Sequence, residues 1–127
     1  MKAMKTDRED VQKQLQLLFA LGLCAKAGKL ICGVPMICDA LASRHKPWLV
    51  VSACDNAKNS AKRLSDKCAY YGVRLAHTAI SGEELARSVG KTGHLAAVAI
   101  TDENLAHLVQ KNLGAECDRH ETEQNGV

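Results

Sequence analysis

The sequence predicts an α/β sandwich, a central sheet with helices on both faces. Three observations carry this. Short apolar runs alternate along the chain with longer segments whose apolar residues recur at helical spacing. One run, beginning Trp48-Leu49-Val50-Val51, is continuously apolar and β-branched, the pattern of a strand covered on both faces. At 127 residues, 46% hydrophobic and 24% charged, the chain has the size and make-up of one folded domain that can bury a layered core without metal or disulfide. That domain is expected over residues 10–113, after a flexible N-terminus (1–9) and before a disordered acidic tail (114–127).

The first helix is expected from Asp10 to Ala27. Val11, Leu15, Leu18, Gly22 and Ala25 mark an apolar stripe of the kind that faces a core, Phe19, Leu21 and Leu23 widen it, and Gly28 ends the helix. Lys29 to Cys32 reads as a brief strand. Gly33 then turns the chain into a second helix, with Pro35 in its first turn and Ile37, Ala40 and Leu41 buried. Trp48 to Ala53 is a core strand, and Asp55 to Ser60 a polar loop offering several helix N-caps. Ala61, Leu64, Cys68 and Tyr71 recur at helical spacing up to Gly72. Val73 to Thr78 alternates as a strand, and Ser81 with Glu84 forms a capping-box pattern for a helix through Val89. Gly90 to His94 (GKTGH) is a loop, Leu95 to Thr101 another strand, and Glu103 to Leu113 the last helix.

Net charge is +3, but unevenly spread: the tail from Glu116 carries −3, which leaves +6 on the body, and +5 of that lies between Lys26 and Lys67. Such an excess suits a polyanion partner, and equally a solvated lysine-rich surface. The N-terminus lacks the apolar core of a signal peptide and no window reaches membrane-spanning length, so a cytoplasmic protein is expected. Six cysteines without a CxxC pair read as reduced, mostly buried thiols. No histidine falls in a metal-ligand motif, GKTG lacks the leading glycine of a P-loop, and no cysteine is placed beside a histidine by sequence. No metal, no cofactor and no enzymatic activity are therefore expected. Aromatics are 3% of the chain, with Trp48 assigned to a core strand, which disfavours a stacking platform for single-stranded RNA.

In this order and with these connecting lengths, LLFALGLCAKAGKLICG, DNAKNSAKRLSDKCAYYGV and LAAVAITDE resemble the bacterial YlxQ-type members of the L-seven-Ae/L-thirty-e ribosomal-protein family, over most of the chain from Leu17 to about Leu113. The resemblance implies a three-layer α/β/α sandwich with a central, mostly four-stranded mixed sheet, and binding of structured RNA, in many members the kink-turn. Ribosomal RNA and ribosomal or translation-associated proteins are the partners it suggests. Carried onto this chain, the family's RNA surface falls on Gly33 to Asp39, Asp55 to Asn59 and Gly90 to Leu95. The candidate RNA-binding residues are Gly33, Val34, Met36, Asn56, Lys58, Asn59, Gly90, Lys91, Thr92, Gly93 and His94, with Lys29 and Lys62 adding phosphate attraction.

Where kink-turn binders place an Asn or Lys, a Glu or Gln, and three residues later a Lys, this chain has Pro35, Met36 and Asp39. Pro35 and Met36 offer no strong side-chain donor or acceptor, and Asp39 repels phosphate. Kink-turn recognition is therefore expected to be altered or absent. Met36 and Cys38 are expected to pack against the domain, as Met and Cys commonly do; on the alternative reading they form an apolar protein-binding surface on a domain that has kept the fold without RNA specificity.

Overall fold

The computed structural model describes residues 2–113, with side chains from Val11 onward; the expected acidic tail lies outside the described residues. The elements in chain order are α1 (Lys2–Lys26), β1 (Leu30–Cys32), α2 (Val34–Leu41), β2 (Leu49–Ser52), α3 (Lys58–Tyr71), β3 (Arg74–His77), α4 (Gly82–Ser88), β4 (Ala97–Ile100) and α5 (Glu103–Lys111).

The strands form one mixed sheet in the order β1-β4-β2-β3. β4 is antiparallel to both β1 and β2, and β2 is parallel to β3. Strands β1, β2 and β3 thus run the same way, and their C-terminal ends all lie at one end of the sheet, where β4 begins. The side-chain alternation of the strands divides the core in two. Val50, Leu75, Ala97 and Ala99 face α2 and α3 through Ile37, Leu41, Leu64 and Cys68. Leu49, Val51, Ala76, Val98 and Ile100 face α1, α4 and α5 through Leu21, Cys24, Leu85 and Val109. The expected layers and mixed four-stranded sheet are present.

The helix ends follow from local chemistry. Gly28 adopts φ 72°, and the next amide, that of Lys29, donates to the Cys24 carbonyl at 3.0 Å, closing α1. Gly72 closes α3 the same way, with Val73 donating to Cys68 at 2.9 Å. The capping box of α4 is formed: Glu84 N donates to Ser81 Oγ at 3.1 Å, and Ser81 N to Glu84 Oε1 at 3.0 Å. Asp102 caps α5 by accepting from Leu105 N at 3.0 Å.

Several expectations are corrected. Helix α1 begins at Lys2, not Asp10, because residues 2–10 contain no Gly or Pro to stop a helix. Its buried face is Leu17, Ala20, Leu21 and Cys24 rather than the stripe through Val11 and Leu15. The two sets lie about half a turn apart on the helix, so periodicity alone did not decide between them. Trp48 is 53% exposed. Its amide donates to the Ile100 carbonyl at 2.8 Å, but the strand proper begins at Leu49 and the indole stays outside the core. Met36 is 60% exposed while Cys38 is buried, so the packing reading holds for Cys38 alone. Among the cysteines, Cys24, Cys38 and Cys68 are buried and Cys32 half-buried, but Cys54 is exposed, in the turn after β2. None of these five forms a disulfide among the described residues, and burial pushes the Cys24 and Cys32 thiols above their ordinary value.

Candidate functional site

Because β1, β2 and β3 point the same way, the β1–α2 turn, the β2–α3 loop and the α4–β4 loop meet at one end of the sheet, the usual place for a ligand in an α/β fold. Gly33 makes the first turn. Its φ of 94° and ψ of 141° lie in backbone space that L side chains rarely adopt, and its amide donates to the Ala97 carbonyl at 3.0 Å. A Cβ at this position would meet no atom within 4 Å. The requirement for glycine here is therefore conformational, not steric.

Helix α2 starts from Gly33 with no side-chain cap, and α3 starts from Ala57, which has no side-chain oxygen to supply one. The leading amides of both helices open onto the same end of the sheet. By contrast, α4 and α5 are capped by Ser81 and Asp102. A helix start without a side-chain acceptor leaves donors and a positive dipole end for an external anion. Around these amides stand the exposed side chains of Met36, Lys58, Asn59, Lys91 and Thr92. Val34 contributes backbone only, since its side chain is buried against α3 and the sheet.

The β2–α3 and α4–β4 loops are fastened together by a residue absent from the candidate set. Asp55 Oδ1 accepts from Gly82 N at 2.8 Å and lies 3.1 Å from His94 Nε2. The Gly82 amide, followed by the His94 imidazole, holds the Asp55 carboxyl below its ordinary range. The imidazole sits so close over Gly82 that a Cβ there would lie 2.2 Å from Nε2. His94 is thus committed to the contact between the loops. Asp55 opened the Asp55–Asn59 segment of the expected surface and stood among the N-cap candidates for α3, with no role of its own; its bond runs 27 residues along the chain to the start of α4, which local spacing does not reveal.

Asn56 Nδ2 donates to Ser52 Oγ at 3.2 Å, while its Oδ1 is buried with no partner among the described residues. Gly90 and Gly93 hold left-handed φ values of 81° and 89° on either side of Lys91 and Thr92. Lys91 reaches near the end of β1, where its charge opposes the upward push of burial on Cys32. Lys62, one turn beyond Lys58, bonds Asp66 at 3.0 Å in an exposed pair worth a few tenths of a kcal/mol at most. Lys29 is not part of this group: its carbonyl accepts from Thr101 N at 3.0 Å, at the opposite end of β1 and β4.

Gly33→Ala is expected to destabilise the fold by about 1–3 kcal/mol through backbone strain. Thermal unfolding should show a lower Tm of several degrees; an unchanged Tm would show that the turn relaxes without cost.

The three layers and the mixed four-stranded sheet are those of an L-thirty-e-like fold. The RNA-binding protein YlxQ of Bacillus subtilis (strain 168) is 33% identical over 87 residues, 68% of this chain and 84% of that protein. The chain belongs to the YlxQ family. Among solved structures, a protein of unknown function from Bacillus halodurans C matches with TM-score 0.66 and 26% identity, covering 75% of this chain and 97% of that one. The Giardia lamblia 15.5kD RNA binding protein shares the fold, with TM-score 0.67 at 21% identity over 85% of this chain and 89% of its own. No family profile matches the chain.

Proposed function

We propose that this protein is a non-catalytic, cytoplasmic RNA-binding module that takes structured RNA, ribosomal RNA included, on the face built by the β1–α2 turn and the β2–α3 and α4–β4 loops. The observation that carries this reading is the pair of helix starts, at Gly33 and Ala57, that open onto one face without side-chain caps. Lys58 and Lys91 supply phosphate attraction from exposed positions beside those amides, and Asn59 and Thr92 add hydrogen-bonding groups. Lys62 extends the same side of α3, whereas Lys29 lies too far along β1 to join. His94 and Asp55 set the spacing of two of the loops. The name of the Bacillus subtilis relative supports the same ligand class.

Kink-turn preference is expected to be weak. The exposed first turn of α2 offers Met36 where a polar group would read a base edge, Pro35 lacks even an amide hydrogen, and Asp39 is exposed one turn further on. A polar pair against a base edge discriminates by roughly 1–3 kcal/mol, so losing several removes preference and leaves general affinity. Titrating the protein against a standard kink-turn and a matched duplex should give affinities within about tenfold of each other, each falling steeply with salt. Tight, salt-resistant binding to the kink-turn alone would overturn the altered-specificity reading; no binding to either RNA would overturn the proposed function.

A further inference from the structure

Trp48 lies outside the core, 53% exposed, at the end of β2 away from the three converging loops. Counted in a core strand it disfavours a stacking surface for single-stranded RNA; placed outside the core, it supplies the first part of one. Tyr70, in the last turn of α3, is 81% exposed. Single exposed aromatics are ordinary, but these two share one end of the layer formed by α2 and α3. Alternation from Val50 puts the indole on the α2–α3 side of the sheet. The β2–β3 register, continued by one residue, sets Trp48 beside Val73, which directly follows the Gly72 that ends α3.

The α2–β2 turn braces this end. Ser43 Oγ donates to the Ala40 carbonyl at 2.7 Å and accepts from His45 N at 3.2 Å, and Lys46 Nζ donates to the Ser43 carbonyl at 2.8 Å. The same ammonium lies 5.2 Å from the centroid of the Tyr71 ring. Tyr71 in turn meets Tyr70 edge to face, with centroids 4.8 Å apart and planes at 90°. Tyr70 is thus held by its neighbour while most of its ring faces solvent. Arg44, His45 and Lys46 are all exposed, and residues 40–54 contain no Asp or Glu. On α3, Lys67 stands one turn before Tyr70, and the carboxylate next to it, that of Asp66, is bonded by Lys62 at 3.0 Å.

We infer that this end of the molecule is a second RNA site, which takes unpaired nucleotides: bases stack on Trp48 and Tyr70 while Arg44, Lys46 and Lys67 draw the phosphates. Aromatic faces set among cations are what a single strand requires, because every base has a face to stack and every linkage a charge. A duplex keeps its base faces inside the helix and has nothing to offer the two rings. The core of a protein contact is depleted of charge, whereas here three basic side chains stand in a row between Ser43 and Trp48. The site shares only its ligand class with the proposed function, which uses other residues at the other end of the sheet.

Trp48 is the only tryptophan of the chain, so its fluorescence reports on this site alone. Titrating the full chain with a short oligouridylate, which forms no duplex, should quench that fluorescence to saturation, and a matched RNA duplex should not. Tyr70→Ala should weaken the oligouridylate by about fivefold or more, and Tyr70→Phe, which keeps the stacking face, should stay within about twofold of the original chain. Arg44→Gln should lower the slope of log affinity against log salt by about 0.7 for the single strand. Both positions are exposed, so circular dichroism should be unchanged in each variant, and duplex binding by Tyr70→Ala should match that of the original chain. Fluorescence left unquenched by the oligouridylate, equal quenching by the duplex, or full affinity in Tyr70→Ala would overturn the inference and leave this end to a protein partner. Duplex bound without quenching by the oligouridylate would sink this inference alone; neither RNA bound would sink the proposed function with it.

Discussion

Leu21→Ala is expected to lower stability by about 2–5 kcal/mol, whereas Leu15→Ala changes it by no more than about 0.5 kcal/mol. Both residues lie on α1, and both removals take away the same atoms. Leu21 is fully buried among Leu17, Cys24 and the α4–α5 side of the sheet, so its loss leaves a cavity that the surrounding strands are too well packed to close. Leu15 is 61% exposed and loses little that water does not replace. Urea unfolding measures both. Equal losses, or a larger loss at Leu15, would mean that α1 buries the other face.

That comparison also locates what was legible in the sequence. The order of elements and the caps at Gly28, Gly72 and Ser81 follow from signals within a few residues, and they are found. The buried face of α1 was not legible, because the helix carries apolar residues on two faces and only its neighbours α4 and α5 select one. Trp48 misled because a large apolar residue at the head of an apolar run looks like its first core position; the register with Ile100 puts the core start at Leu49. The candidate face came from the resemblance to a family and not from local spacing, and the bonds of Asp55, which lies in one of its segments, were not legible, since its partners Gly82 and His94 are 27 and 39 residues away. Lys29 is the converse: close in sequence to Gly33, it is a strand's length away in space.

The proposed RNA face makes a quantitative demand on Lys58 and Lys91. If each neutralises one phosphate, each releases about one counterion, and the logarithm of the association constant loses about one unit of slope against the logarithm of salt for each lysine removed. At 0.1 M salt one unit of slope is about tenfold in affinity, so Lys58→Gln with Lys91→Gln should weaken binding about a hundredfold and flatten the salt dependence by about two units. The effect should be alike for unrelated structured RNAs, because phosphate carries no sequence information. Lys29→Gln is the internal control: it removes the same charge from the opposite end of β1, so it changes the long-range field but no contact at the face. It should cost affinity by less than about threefold and leave the slope nearly unchanged. Should Lys29→Gln weaken binding as much as either of the others, attraction would be to the overall charge of the body, and the face built by Gly33, Ala57 and the Gly90–Gly93 loop would not be where RNA sits.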